Sequence, residues 1–188
     1  GKDYQWTSGL WMPSLKELLI SPGNSRASIQ QKKMSLENTV THEGFHQYIF
    51  YASNHKNLAP WFNEGTADFF GSIAFPTSRT FRIGLSSYRH SIYKKLAKKG
   101  DIDIASLIVY DQKQYYAASD KNYALGWALM FYLYKGAWVT GKMNYSKIPY
   151  KYYNAIIAGK DAREATKEAW KGINTSTFQQ DFEKFWKT

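Results

Sequence analysis

His42-Glu43-Gly44-Phe45-His46 and, eighteen positions after the second histidine, Glu64 within Trp61-Phe62-Asn63-Glu64-Gly65-Thr66-Ala67-Asp68 decide how this 188-residue chain is read. Residues four apart share one face of an α-helix, so the imidazoles of His42 and His46 converge on one point if their segment is helical. Met34 to Ala52 reads as that helix. It has no Pro and one Gly, Ser35 with Glu37 and Asn38 forms its start, and Leu36, Val40, Phe45, Ile49 and Phe50 give it an apolar face. Glu43 is turned about one residue around the helix, beside the position where water would sit on a metal held by the two histidines. A carboxylate there can act as general base. The competing reading is a solvated helix whose two histidines happen to be four apart.

A second helix is expected from Trp61 to about Phe75, entered through Pro60, which the first turn of a helix tolerates. Glu64 and Asp68 are again four apart. A three-ligand zinc site needs one donor beyond two histidines, which Glu64 supplies as a hard oxygen, while Asp68 can accept the other ring N–H of a ligating histidine and fix its tautomer. Alternatively, Glu64 is a carboxylate stabilised by the helix dipole and Asp68 an ordinary hydrogen-bond acceptor.

His42 to Gln47 together with Asn63 to Gly71 resembles the gluzincin clan of zinc peptidases. The second segment is similar to the thermolysin sequence around its Glu ligand, and Trp61-x-Asn63-Glu64-Gly65-x-Ala67 is similar to the membrane alanyl aminopeptidases. The His46 to Glu64 interval is one residue shorter than in those aminopeptidases, and no Gly-x-Met-Glu-Asn segment is present to capture a substrate amino terminus. Tyr123-Ala124-Leu125-Gly126 is similar to the clan's Tyr-x-x-Gly helix start. The resemblance implies that Tyr123 donates to the oxyanion, although an ordinary aromatic at a helix start reads equally well. Overall the chain resembles small exported bacterial gluzincin-like domains of the peptidase MA-like group. That resemblance implies hydrolysis with Zn2+ as cofactor and leaves the substrate open; a peptide or protein is the substrate expected.

The chain lacks cysteine, so any metal must be held by His and carboxylate. The net charge of +10 is uneven: residues 1–80 hold seven basic and six acidic side chains, and 81–188 hold eighteen and nine. Arg89, Lys94, Lys95, Lys98 and Lys99 lie in one helix-like stretch without an acid. That face suits an anionic cell envelope, nucleic acid or an acidic substrate, or is simply a solvated lysine-rich surface. A non-catalytic zinc-containing module that binds envelope peptides or glycans and, behind it, a basic nucleic-acid-binding domain are the alternatives to a hydrolase, and no stable nucleic-acid partner is expected. No apolar run approaches membrane-spanning length. The abrupt start at Gly1 fits a removed leader or an upstream region, and the expected location is periplasmic or extracellular.

The fold class expected is α+β: a mainly helical zincin-like (gluzincin) domain with a small N-terminal β element. It would form a single domain over 1–188, with a strand pair and loop over 1–34, metal-binding helices over 35–77 and a helical half over 78–188. Tyr4 to Ile20 reads as two short strands around a Pro13-Ser14 turn, against a competing helix over Ser14 to Leu19; the resemblance, with its need for an edge strand, favours strands. Ser21 to Ser28 reads as a loop and Pro76 to Gly84 as irregular. Further helices are expected over Ser87 to Lys99, Asp101 to Val109, 119–136, 149–158, 161–171 and 175–187. Among the abundant aromatics, Trp127, Phe131 and Tyr134 read as core, whereas Tyr110, Tyr115 and Tyr116 are candidates for an exposed lid or pocket wall. His55 and His90 read as surface or hydrogen-bonded histidines with a second oxyanion donor as the alternative. Arg79, Arg82 and Arg89 could bind a substrate carboxylate or form surface ion pairs.

Overall fold

The computed structural model describes residues 8–21, 28–77 and 79–187. The fold is mainly helical α+β with two small two-stranded sheets, and the chain divides into two compact units, one within residues 1–52 and 67–86, the other within 53–66 and 87–188. Of the three points of division along the chain, the one between Thr66 and Ala67 falls inside a helix.

In the first unit, β1 (Gly9–Met12) and β2 (Glu17–Ile20) pair antiparallel, with Gly9 opposite Ile20 and Met12 opposite Glu17. The turn is closed by Leu15 N–H donating to the Met12 carbonyl at 3.2 Å, with Lys16 in the left-handed region at φ 55°. The strand reading thus holds over the helical one. Gly9 and Trp11 face inward and Leu10 and Met12 are half-buried, as period-two alternation requires. A Cβ on Gly9 would lie 2.4 Å from Thr39 Cγ2 and 2.9 Å from Glu43 Cγ, so β1 packs on the helix behind it at a distance only glycine allows.

That helix, α1 (Ile29–Ala52), starts five residues before Met34. The added turn is polar: the Ser28 carbonyl accepts from Lys32 N–H at 2.9 Å and Lys33 pairs with Glu37 at 3.8 Å. Helix-forming lysines and glutamines extend α1 where the apolar pattern gives no signal. Of the expected loop, residues 22–27 lie outside the described residues, as do 4–7 of the first stretch.

α2 (Pro60–Phe70) is shorter than expected, ending at Phe70 and not near Phe75. Gly71 closes it, and Ser72 competes for its last carbonyls: Ser72 Oγ donates to Asp68 O at 3.0 Å and its N–H to Phe69 O at 3.2 Å. The chain then forms a second hairpin, β3 (Ile73–Thr77) with β4 (Thr80–Ile83), where an irregular stretch was expected. Ile73 pairs with Ile83 and Ala74 with Arg82, and the pairing shifts register between Ala74 and Thr77, around Pro76. Proline cannot donate to the ladder, so the strand tolerates it only at such an irregularity; read along the sequence, it conceals the hairpin.

The second unit contains the start of α2 together with α3 (Ser87–Lys98), α4 (Ile104–Leu107), α5 (Gln112–Ala117) and α6 (Ser119–Phe131). α6 runs through one π-helical turn, Tyr132–Gly136, into α7 (Ala137–Val139); then come α8 (Met143–Ser146), α9 (Ile148–Ile157), α10 (Ala162–Ala169) and α11 (Thr175–Lys187). Asp103, Asp111 and Asp161 cap α4, α5 and α10, the latter two as capping boxes with Gln114 and Glu164. Trp61 anchors the start of α2: it is fully buried, its Nε1–H donates to Thr166 Oγ1 at 3.1 Å, and its ring meets Tyr152 and Trp170 edge to face. α2 and α6 meet glycine to glycine, since a Cβ on Gly65 would lie 2.8 Å from the Gly126 carbonyl.

Trp127, Phe131, Tyr93, Phe182 and Trp186 form one aromatic cluster in this unit, which confirms Trp127 and Phe131 as packing residues. His90 leans on it, 5.5 Å from the Trp186 ring and 6.2 Å from Trp127. Burial, then the Lys94 charge, holds its pKa below the usual histidine value. A histidine whose folded pKa is depressed contributes stability above its unfolded pKa, and that contribution is lost as pH falls. Urea unfolding is therefore expected to show stability declining below about pH 6.5, with a shallower decline in His90→Phe. Identical pH profiles would contradict this packing role.

Candidate metal centre

α1 presents His42 and His46 one turn apart, their Nε2 atoms 3.1 Å from each other and their rings at 77°. The second ring nitrogen of His42, Nδ1, is 3.0 Å from Asp68 Oδ1 on α2. A proton on Nδ1 gives Asp68 Oδ1 a donor and leaves the Nε2 lone pair free to bind a cation. If His46 adopts the same tautomer, two lone pairs face each other at close range, an arrangement that a cation stabilises. Phe45 stacks on Phe70 at 5.6 Å and fixes α1 against the end of α2 on this side.

Glu64 sits one turn before Asp68 on the same continuous helix. One donor atom from each of His42, His46 and Glu64 lies within 4.8 Å of the other two. Glu64 is almost fully buried, its Oε1 accepts from Tyr116 O–H at 2.7 Å, and Tyr123 also hydrogen-bonds to its carboxylate. Burial, then the Glu64 charge, drives the Tyr123 pKa far upward, so this phenol remains a proton donor. The Arg89 guanidinium lies over the Tyr123 ring, 4.8 Å from its centroid.

Two imidazole nitrogens and one carboxylate oxygen, with a carboxylate behind one imidazole, are a donor set that suits zinc. The group could hold a metal ion. Residues 37–140, more than half of the chain, match a family described as "Protein of unknown function (DUF1570)". The chain belongs to the DUF1570 family. No curated protein and no solved structure matches it. The segment matched to DUF1570 contains His42, Glu43, His46, Glu64, Asp68, Tyr116 and Tyr123, and ends before α8.

Glu43 is buried, and its Oε2 accepts from the backbone N–H of Trp11 at 2.9 Å. β1 thereby reaches the residue read as the general base, a link that sequence spacing cannot reveal. Tyr116 is the other residue whose contact was missed. Its place follows from α5, which the Asp111-x-x-Gln114 capping box starts and which lies between the helices expected over Asp101 to Val109 and 119–136. Tyr115 corrects an expectation: it is fully buried, donating from its hydroxyl to Asn122 O at 2.9 Å, and lines no lid. His55 lies in an exposed turn at φ 62°, and His90 in the aromatic cluster. Arg79 and Arg82 are exposed in the second hairpin region.

Because Asp68 Oδ1 lies 3.0 Å from His42 Nδ1, a position from which a carboxylate orients a ligating imidazole, Asp68→Ala is expected to weaken metal binding about 10- to 100-fold, measured by competition with a chelator. Unchanged affinity would mean that the His42–Asp68 contact plays no part in ligation.

Proposed function

We propose that this DUF1570 chain is a zinc-dependent peptidase of gluzincin type. The observation that carries the reading is the His42, His46 and Glu64 donor group with Asp68 behind His42, accompanied on α1 by a carboxylate that ligation does not need. Zinc bound there would supply Lewis acidity toward water and a peptide carbonyl. Glu43 would accept the proton of the attacking water and pass it to the leaving amine. Trp11 N–H fixes one of its oxygens, so the other acts as the base. Tyr123, whose pKa burial and the Glu64 charge push upward, is the oxyanion donor in this scheme and would exchange its bond to Glu64 for one to the substrate oxygen.

Endopeptidase action is favoured over aminopeptidase action, since the segment that captures an amino terminus is absent from the sequence. No helix among the described residues is long and apolar enough to cross a membrane. Export, and contact of the exposed Lys94, Lys95, Lys98 and Lys99 with an anionic envelope, belong to the same proposal. A second reading, a zinc-containing module that binds peptide or glycan without cutting, has one observation in its favour: Trp11 N–H already engages one of the two Glu43 oxygens.

The two readings separate when the zinc-loaded protein is incubated with a mixed peptide library and products are read by mass spectrometry. Cleavage that a chelator stops is the expected result. An intact library, with zinc demonstrably bound, would overturn the peptidase reading in favour of the binding module.

A further inference from the structure

The second unit contains a cavity of about 870 Å³ that shares no residue with the metal donor group. Its size is that of sites for small organic ligands. Buried Leu58, Ile108 and Trp170 form an apolar floor. Arg163 and Lys167 stand on its rim, one helical turn apart on α10, and therefore on one face of that helix.

The neighbouring acids are engaged elsewhere. Asp161 and Glu164 form the α10 capping box, Glu168 pairs with Lys160 at 3.3 Å, and Asp111, the carboxylate in the cavity lining, accepts Gln114 N–H at 2.8 Å as the cap of α5. Among the described residues, neither Arg163 nor Lys167 takes part in an ion pair. The cavity thus joins an apolar floor to two cations that make no direct ion pair among the described residues, with the Asp111 carboxylate also in its lining.

We infer that this cavity binds a small amphiphilic acid, its apolar body on Leu58, Ile108 and Trp170 and its carboxylate between Arg163 and Lys167. A guanidinium grips a carboxylate with two parallel hydrogen bonds, and the lysine adds a point charge. Two sources share this chemistry: an alkyl acid, or the carboxyl end of a short apolar peptide. The inference is independent of the peptidase reading.

Titration calorimetry on the full chain tests it with decanoate and with N-acetyl-leucyl-phenylalanine, against decanol and decylammonium. At least one acid is expected to bind tenfold or more tightly than both controls, and the acid that does so identifies the source. The double variant Arg163→Gln, Lys167→Gln, which changes only exposed side chains, is expected to reduce that acid to the level of decanol. Failure of both acids to bind, binding no tighter than decanol, or a preference that survives in the double variant would overturn the assignment.

Discussion

Glu43→Gln is expected to abolish peptide hydrolysis while leaving the metal in place. Glutamine keeps the size of the side chain and can still accept from Trp11 N–H through its amide oxygen, so the contact between β1 and α1 survives. What it loses is the ability to take a proton. General-base catalysis typically contributes about 10²- to 10⁴-fold, and a loss of that order in turnover should appear with metal content unchanged. Turnover equal to that of the parent would remove Glu43 from the mechanism. Loss of metal together with activity would instead assign it a structural part in the site.

The second large effect concerns stability. Trp61→Ala should destabilise the protein by about 3–5 kcal/mol, the usual cost of deleting a buried tryptophan, which is a sizeable share of a typical domain's total. The indole is fully enclosed, contacts Tyr152 and Trp170, and supplies the hydrogen bond to Thr166. It also stands three residues before Glu64 on α2, so loosening the start of that helix releases a proposed ligand. Chemical unfolding followed by circular dichroism should show the midpoint shift, and metal affinity should fall with it. A loss below about 1 kcal/mol would mean that the aromatic contacts around Trp61 hold α2 only weakly.

The donor group was legible because its signals are local: the four-residue spacing in α1 and in α2 places each pair of side chains on one face whatever the rest of the chain does. Helix starts were legible only in part: the starts expected at Asp101 and at 161 lie within two residues of the Asp103 and Asp161 caps, whereas the Asp111 cap of α5 was not read. The second hairpin was not, because Pro76 breaks the alternation that marks strands and the register shift is visible only against β4. The early start of α1 was missed because its first turns are exposed and carry no apolar stripe. The contacts of Trp11 with Glu43 and of Tyr116 with Glu64 join residues 32 and 52 positions apart, and nothing local encodes them.

Tyr123 shows how a motif and its setting can differ. Its Tyr-x-x-Gly context suggested a donor aimed at substrate, yet its hydroxyl shares the Glu64 carboxylate with Tyr116. Gly126, the motif's glycine, has a steric reason of its own, since a Cβ there would lie 2.4 Å from the Tyr115 hydroxyl and crowd the approach to Gly65. The same four residues therefore serve helix packing and, in the proposed mechanism, catalysis.

The most direct test of the central claim is elemental analysis of the purified protein after zinc loading and exhaustive dialysis, alongside His46→Ala. The account predicts about one zinc per chain in the parent and a large loss in the variant. A parent that retains no zinc, or a variant that retains as much as the parent, would contradict the assignment of His42, His46 and Glu64 as a metal centre.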